Sequence, residues 1–143
     1  MSLCLDGNCK VCAPGAPEFC QDRDRGILAG ANYMVVVCDL TRHEGQQAVQ
    51  VASNHINAVR VLNKGARVLP GVLIGNKTDL EERRKVSSEQ LEGFASQQGL
   101  AYFETSASDS MTSCHEPFEH IARDYHNKFS DQLKLTASGT LQV

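Results

Sequence analysis

Apolar positions fall into two alternating kinds of block. Tyr33-Met34-Val35-Val36-Val37-Cys38 is an unbroken apolar run that stops at Asp39. Such a run suits a strand buried on both faces, as in a parallel sheet covered by helices. Beyond it, Ala48, Val49, Ala52, Ile56, Val59 and Leu62 recur at three- and four-residue spacing and predict a helix with one apolar face. Gly65 is placed to end that helix as its C-cap. Residues 68–74 read as a second buried strand, with Pro70 tolerated only near its start.

A helix start follows at Val86-Ser87-Ser88-Glu89-Gln90-Leu91. Ser87 can cap, Gln90 can answer from the third helical position, and Val86 can staple onto Leu91. Phe94 and Ala95 continue the buried face of this helix, and residues 100–104 form a third strand. Phe118, Ile121, Ala122, Tyr125, Phe129 and Leu133 predict an apolar stripe on a last helix, which Pro117 is expected to open near its first turn. The order strand, helix, strand, helix, strand, helix predicts a doubly wound α/β fold. Residues 1–15 read as a short hairpin with Asp6-Gly7 as its turn between 2–5 and 8–12. Residues 13–31 read as irregular, and residues 136–143 as a frayed tail.

Composition narrows the function classes. With 143 residues the chain makes one domain at most. A net charge of -3 argues against nucleic acid as the main partner, because phosphate binding needs a basic surface. No apolar run approaches the roughly 20 residues of a membrane span, and the N-terminus does not read as a signal peptide. The expected setting is the cytosol. There structural disulfides are disfavoured, although six cysteines are present. Cys9-Lys10-Val11-Cys12 is a CxxC that can begin a zinc site or mark a redox pair, but no second CxxC or close histidine pair completes a zinc ribbon.

Two strands end in loops of related chemistry. Leu73-Ile74-Gly75 runs into Asn76-Lys77-Thr78-Asp79, and Tyr102-Phe103-Glu104 runs into Thr105-Ser106-Ala107. In doubly wound folds ligands bind at the carboxyl ends of strands. Guanine presents two adjacent donors, N1–H and the 2-amino group, and the single carboxylate of Asp79 can accept both. Adenine has neither donor there and leaves the charge unpaired, a difference that can reject it by about 10⁴ or more. Asn76 can bond the base edge and tie the loops together. The Lys77 stem can cover one face of the purine, and the Ala107 N–H can meet the guanine carbonyl.

At these residues the chain resembles the Ras superfamily, whose base-specificity motifs are NKxD and ExSA. The Rab-like branch is closer still, and within it the proteins of intraflagellar transport. That resemblance rests on the segment from Pro70 to Leu80, on Arg83-Arg84, on Gly99-Leu100, on Phe103-Glu104-Thr105-Ser106, and on Glu116-Pro117-Phe118 with Ile121-Ala122 and Tyr125-His126. It covers about residues 33–133. Ser108 departs from it, standing where Rab proteins usually have lysine.

The resemblance implies an α/β, three-layer doubly wound P-loop NTPase fold of the small GTPase kind, incomplete at the N-terminus. Residues 1–32 would be a remnant of the strand hairpin and switch II region, 33–135 the C-terminal part of the GTPase domain, and 136–143 a flexible tail. Cys12-Ala13-Pro14-Gly15 stands at the DxxG motif, so Gly15 is the switch II remnant, Cys12 replaces the Mg²⁺-side aspartate and Ala16 the water-orienting glutamine. No GxxxxGK followed by Ser or Thr occurs in the chain. Nucleotide-binding residues carried over are Asn76, Lys77, Asp79, Ser106 and Ala107, with GTP or GDP as ligand, held weakly or not at all by this chain. Mg²⁺ would belong only to a longer form.

The family's first strand would lie beside 33–38, so two strand edges are expected to face a gap. Implied partners are intraflagellar transport protein 25 and other intraflagellar transport B subunits, in the cytoplasm and cilium. The chain's last cysteine is Cys114, so no C-terminal lipid anchor is expected. Two alternatives stay open: a working Rab-type switch in vesicle traffic, if residues precede these, and a small zinc or redox module at Cys9 and Cys12.

Overall fold

A computed structural model of the chain describes residues 2–4, 31–62, 69–108 and 111–137. Four strands, β1 (Ser2–Cys4), β2 (Met34–Asp39), β3 (Gly71–Asn76) and β4 (Ala101–Thr105), form one sheet in that order, and every pairing is parallel. Helices α1 (Gly45–Leu62), α2 (Ser88–Gln98) and α3 (Met111–Ala137) follow β2, β3 and β4, and a 3-10 helix spans Thr78–Arg83. The α/β fold expected from the alternating blocks is present.

Both faces of the sheet are covered, which explains why β2 and β3 read as continuous apolar runs. One face carries Met34, Val36, Cys38 and Leu73, packed with Ala48, Ala52, Ile56 and Val59 of α1 and Leu91, Phe94 and Ala95 of α2. The other carries Val35, Val72 and Ile74, with Phe103 and Ile121 against them. Leu40, Ile56, Leu73 and Leu91 are fully buried, and each contributes about 2 kcal/mol by leaving water.

The local signals around α2 are realised. Ser87 accepts from the Gln90 N–H at 3.3 Å, and the Gln90 side chain accepts from the Ser87 N–H at 3.3 Å. Val86 and Leu91 are both buried in the same cluster. Gly99 closes the helix at φ 71°, a left-handed conformation that costs glycine nothing. Among the described residues no helix is long and apolar enough to cross a membrane.

Four expectations are corrected. The strands begin and end later than read: β3 starts at Gly71 because Pro70 cannot donate, while its carbonyl accepts from the Met34 N–H at 3.0 Å. The edge of β2 does not face a gap. Ser2, Leu3 and Cys4 lie opposite Val35, Val36 and Val37, since the backbone groups of an apolar strand need partners.

Pro117 does not open α3 but sits inside it, buried, six residues after Met111. Last, only Ile121 of the apolar stripe of α3 is covered by the sheet: Phe118, Tyr125, Phe129 and Leu133 are 47–55% exposed, and Ala122 is exposed too. Ile121 packs against the sheet, and Pro117 is buried one turn before it. Tyr125 stacks on Phe129 with centroids 6.3 Å apart, and meets Tyr33 edge-on at 6.1 Å. The predicted hairpin turn, Cys9, Cys12, Gly15, Ala16, Gly65, Val68 and residues 138–143 lie outside the described residues.

Candidate functional site

Parallel register puts the polar strand ends in one row. Asp39 lies opposite Asn76, and Asn76 opposite Thr105, so three strands finish together at the carboxyl edge of the sheet. The loops Asn76-Lys77-Thr78-Asp79 and Thr105-Ser106-Ala107 leave from this row.

After Asn76 the chain must turn out of the sheet at once. Lys77 makes the turn with φ 74°, a left-handed conformation that is uncommon for a residue with a side chain and costs on the order of 1 kcal/mol. The turn carries the Lys77 amino group to Asp39, 2.5 Å from its Oδ2. Asp39 is 9% exposed and is held further by the Thr41 N–H at 2.9 Å and the Thr41 hydroxyl at 2.7 Å. Burial works to raise the Asp39 pKa, but the hydrogen bonds from Lys77 and Thr41 outweigh it and leave the carboxyl below its ordinary value. A charged Asp39 therefore fixes the direction in which the Lys77 stem runs.

Asp79 follows on the 3-10 helix, exposed at its first turn. The hydroxyl of Ser106 donates to Asp79 Oδ1, and the Ala107 N–H donates to Asn76 Oδ1 at 3.2 Å. Ser106 is 1% exposed. Its Oγ also accepts from the Ser108 N–H at 3.2 Å, and its carbonyl accepts from the Cys114 thiol at 3.4 Å. All five residues named from the sequence thus share one patch, joined loop to loop. Since residue 108 contributes a backbone N–H, serine in place of lysine leaves that contact intact.

A second set of groups stands behind the loops. The Arg84 guanidinium grips the Glu104 carboxylate with two bonds, Nη1 to Oε2 at 3.1 Å and Nη2 to Oε1. The Tyr102 hydroxyl donates to the same Oε1 at 2.6 Å. Burial alone would raise the Glu104 pKa, yet the bonds from Arg84, Tyr102 and Ser88 and the Arg84 charge bring it down to about 2. Asp39, Thr41, Arg84, Tyr102 and Cys114 were not singled out by chemistry in the sequence. The one local signal was Asp39, an acid at the end of a strand that is otherwise apolar.

The arrangement offers a carboxylate with room for further donors, an amide, a backbone N–H and an aliphatic stem around one surface. That set fits a purine edge with adjacent N–H donors. Among the described residues no group of three His, Cys, Asp or Glu side chains is placed to hold a metal ion.

Relatives include the intraflagellar transport protein 27 homologs of Bos taurus, 36% identical over 104 residues, and Homo sapiens, 35% identical over 104 residues. Each alignment takes in 73% of this chain and 53% of the relative. The Ras-related protein Rab-13 of Bos taurus is 37% identical over 95 residues, 66% of this chain and 44% of that protein. The chain thus spans about half the length of the curated relatives it matches. The family model described as the Ras family matches residues 15–127, and with the NKxD and ExSA loops meeting at one sheet edge, the chain belongs to the Ras family, on its Rab-like side.

Proposed function

We propose that this chain is the guanine-reading part of a Rab-like small GTP-binding protein that works as a subunit of the intraflagellar transport B complex. The observation that carries the reading is the pair of cross-loop contacts, Ser106 to Asp79 and Ala107 to Asn76. They bring the only chemistry needed for guanine into one place: a carboxylate for N1–H and the 2-amino group, and donors for the ring carbonyl and N7. An ionised carboxylate accepts at about four positions, so the Ser106 bond leaves Asp79 room for both guanine donors. The Ala107 N–H would be shared with, or transferred to, the guanine carbonyl on binding, while Asn76 turns toward N7. Lys77, anchored at Asp39, lays its stem over the base.

In this reading nucleotide state tunes assembly, the setting is the cilium and a partner is intraflagellar transport protein 25; the likeness to intraflagellar transport protein 27 homologs supports the transport role. By the resemblance, Ala16 stands where the family has its water-orienting glutamine, and an alanine there would make intrinsic hydrolysis slow.

Titration of the chain with GMP and with AMP tests the base reading. GMP is expected to bind and AMP not, and Asp79→Asn to abolish the preference, since an amide cannot accept from both guanine donors. Equal binding of the two nucleotides, or an unchanged preference in the variant, refutes it. For the assembly role, the tagged chain purified from ciliated cells is expected to carry intraflagellar transport B subunits. Their absence at endogenous expression would end that part of the proposal.

A further inference from the structure

Arg84 stands where three segments cross. It follows the 3-10 helix as its C-cap, with its N–H donating to the Glu81 carbonyl at 3.0 Å. Its Nε donates to the Val86 carbonyl at 2.9 Å, Nη2 to the Ser88 hydroxyl at 2.8 Å, and Nη1 to Glu81 Oε2 at 3.4 Å. The remaining donors form the two-pronged grip on Glu104. These bonds fix the guanidinium in both position and plane, which a planar fork with five donors can do and an ammonium cannot.

The sequence distances matter. Asp79 lies five residues before Arg84 on one loop, and Ser106 lies two residues after Glu104 on the other. The Arg84–Glu104 pair therefore joins the bases of the two loops whose tips meet at Asp79 and Ser106. Among the described residues, the two loops are also bonded by Asp79–Ser106, made by an exposed, short side chain, and by Asn76 Oδ1 with the Ala107 N–H.

Tyr102 completes the strut from the sheet. To reach Glu104 its hydroxyl passes over β3 at Gly75, immediately before Asn76. A Cβ on Gly75 would lie 2.7 Å from that hydroxyl and 3.0 Å from Leu40 Cδ2. The glycine is thus needed for close approach, not for its backbone angles, and it links Glu104 to the strand that carries the first base-reading loop.

Resting on the guanine reading above, we propose that Arg84 is a positioning residue for purine specificity. Acting through Glu104, with Tyr102 and Gly75 behind it, it holds the Ser106-Ala107 loop at the distance from Asp79 that a guanine edge requires. In this role Arg84 touches no ligand. Its effect is on the choice among bases that differ at the 2-position and on the geometry of the Ala107 N–H.

The discriminating experiment is titration of the 143-residue chain with GMP and with IMP, which lacks only the 2-amino group, followed on the Asn76 and Ala107 amide resonances. The wild-type chain is expected to prefer GMP. Arg84→Gln is expected to lower the GMP-to-IMP ratio about tenfold, and to shift the Ala107 resonance before ligand is added. The exchanged pair Arg84→Glu with Glu104→Arg is expected to recover part of the ratio. Tyr102→Phe and Gly75→Ala, which disturb the strut without touching its charges, are each expected to lower it about threefold.

An unchanged ratio in Arg84→Gln, or equal loss of GMP and IMP binding, overturns the proposal and leaves Arg84 a purely structural residue. If Arg84→Gln does not fold, Tyr102→Phe decides: a lowered ratio supports the strut and an unchanged one overturns it. A wild-type chain that binds GMP over AMP but not over IMP overturns the positioning role and the 2-amino contact of Asp79, while the N1–H contact stands. One that shows no purine preference at all overturns the base reading with it.

Discussion

Replacing Glu104 by glutamine separates the contribution of the Arg84 pair from every other ionisable contact. The folded protein holds this carboxyl at about 2, against an ordinary 4.5. Burial opposes that depression, and the bonds from Arg84, Tyr102 and Ser88 with the Arg84 charge overcome it. Taken at face value, the interval corresponds to about 3 kcal/mol in favour of the folded state. The two side chains keep 16% and 24% of their exposure, so water screens the pair and about 1.5–2 kcal/mol is the better expectation.

The sign follows from the depressed value. The stabilisation is complete above pH 4.5, where the unfolded carboxyl is ionised, and is lost as pH falls toward 2. Glu104→Gln is therefore expected to cost about 2 kcal/mol at pH 7, because Arg84 loses its main counter-charge. Between pH 5 and pH 2 the variant is expected to lose stability less steeply than the wild-type chain. Asp39, Asp124 and Glu89 also have lowered values, but both proteins retain these groups, so the difference between the two curves reports chiefly on Glu104. Urea unfolding followed by circular dichroism at pH 7, 5, 4 and 3 gives those curves. If they run parallel from pH 7 to pH 3, the pair carries no net stability and the reasoning fails.

Two shorter predictions accompany it. Asp39→Asn removes the charge that anchors Lys77 while keeping an acceptor for Thr41. It is expected to weaken GMP binding about threefold to tenfold, and an unchanged GMP titration would show that the Lys77 stem needs no anchor. Ser87→Ala removes the cap on α2 and is expected to cost about 1 kcal/mol with the urea slope unchanged. A midpoint identical to the wild-type chain would mean that the reciprocal Ser87–Gln90 bonds contribute nothing.

The parts of this protein legible in its sequence are those set by short-range or one-dimensional patterns. The α2 start could be read because both bonds of its cap span three residues. Strands β2 and β3 could be read because a face buried on each side tolerates no polar alternation. The candidate site residues were legible because they sit immediately after the strands, in polar loops that break the apolar pattern.

Other features needed the chain's return on itself. Hydrophobic period says that α3 owns an apolar stripe, but not which face meets the sheet. Ile121 packs against the sheet and Pro117 is buried, while Phe118, Tyr125, Phe129 and Leu133 remain exposed. Register aligned Asp39, Asn76 and Thr105 in one row, and a shift of one residue would have turned their side chains to opposite faces. Arg84 and Glu104 lie 20 positions apart, and each alone reads as an ordinary surface charge. Only the closing of the sheet brings the guanidinium plane and the carboxylate together, because the bond depends on a geometry that no local stretch of sequence contains.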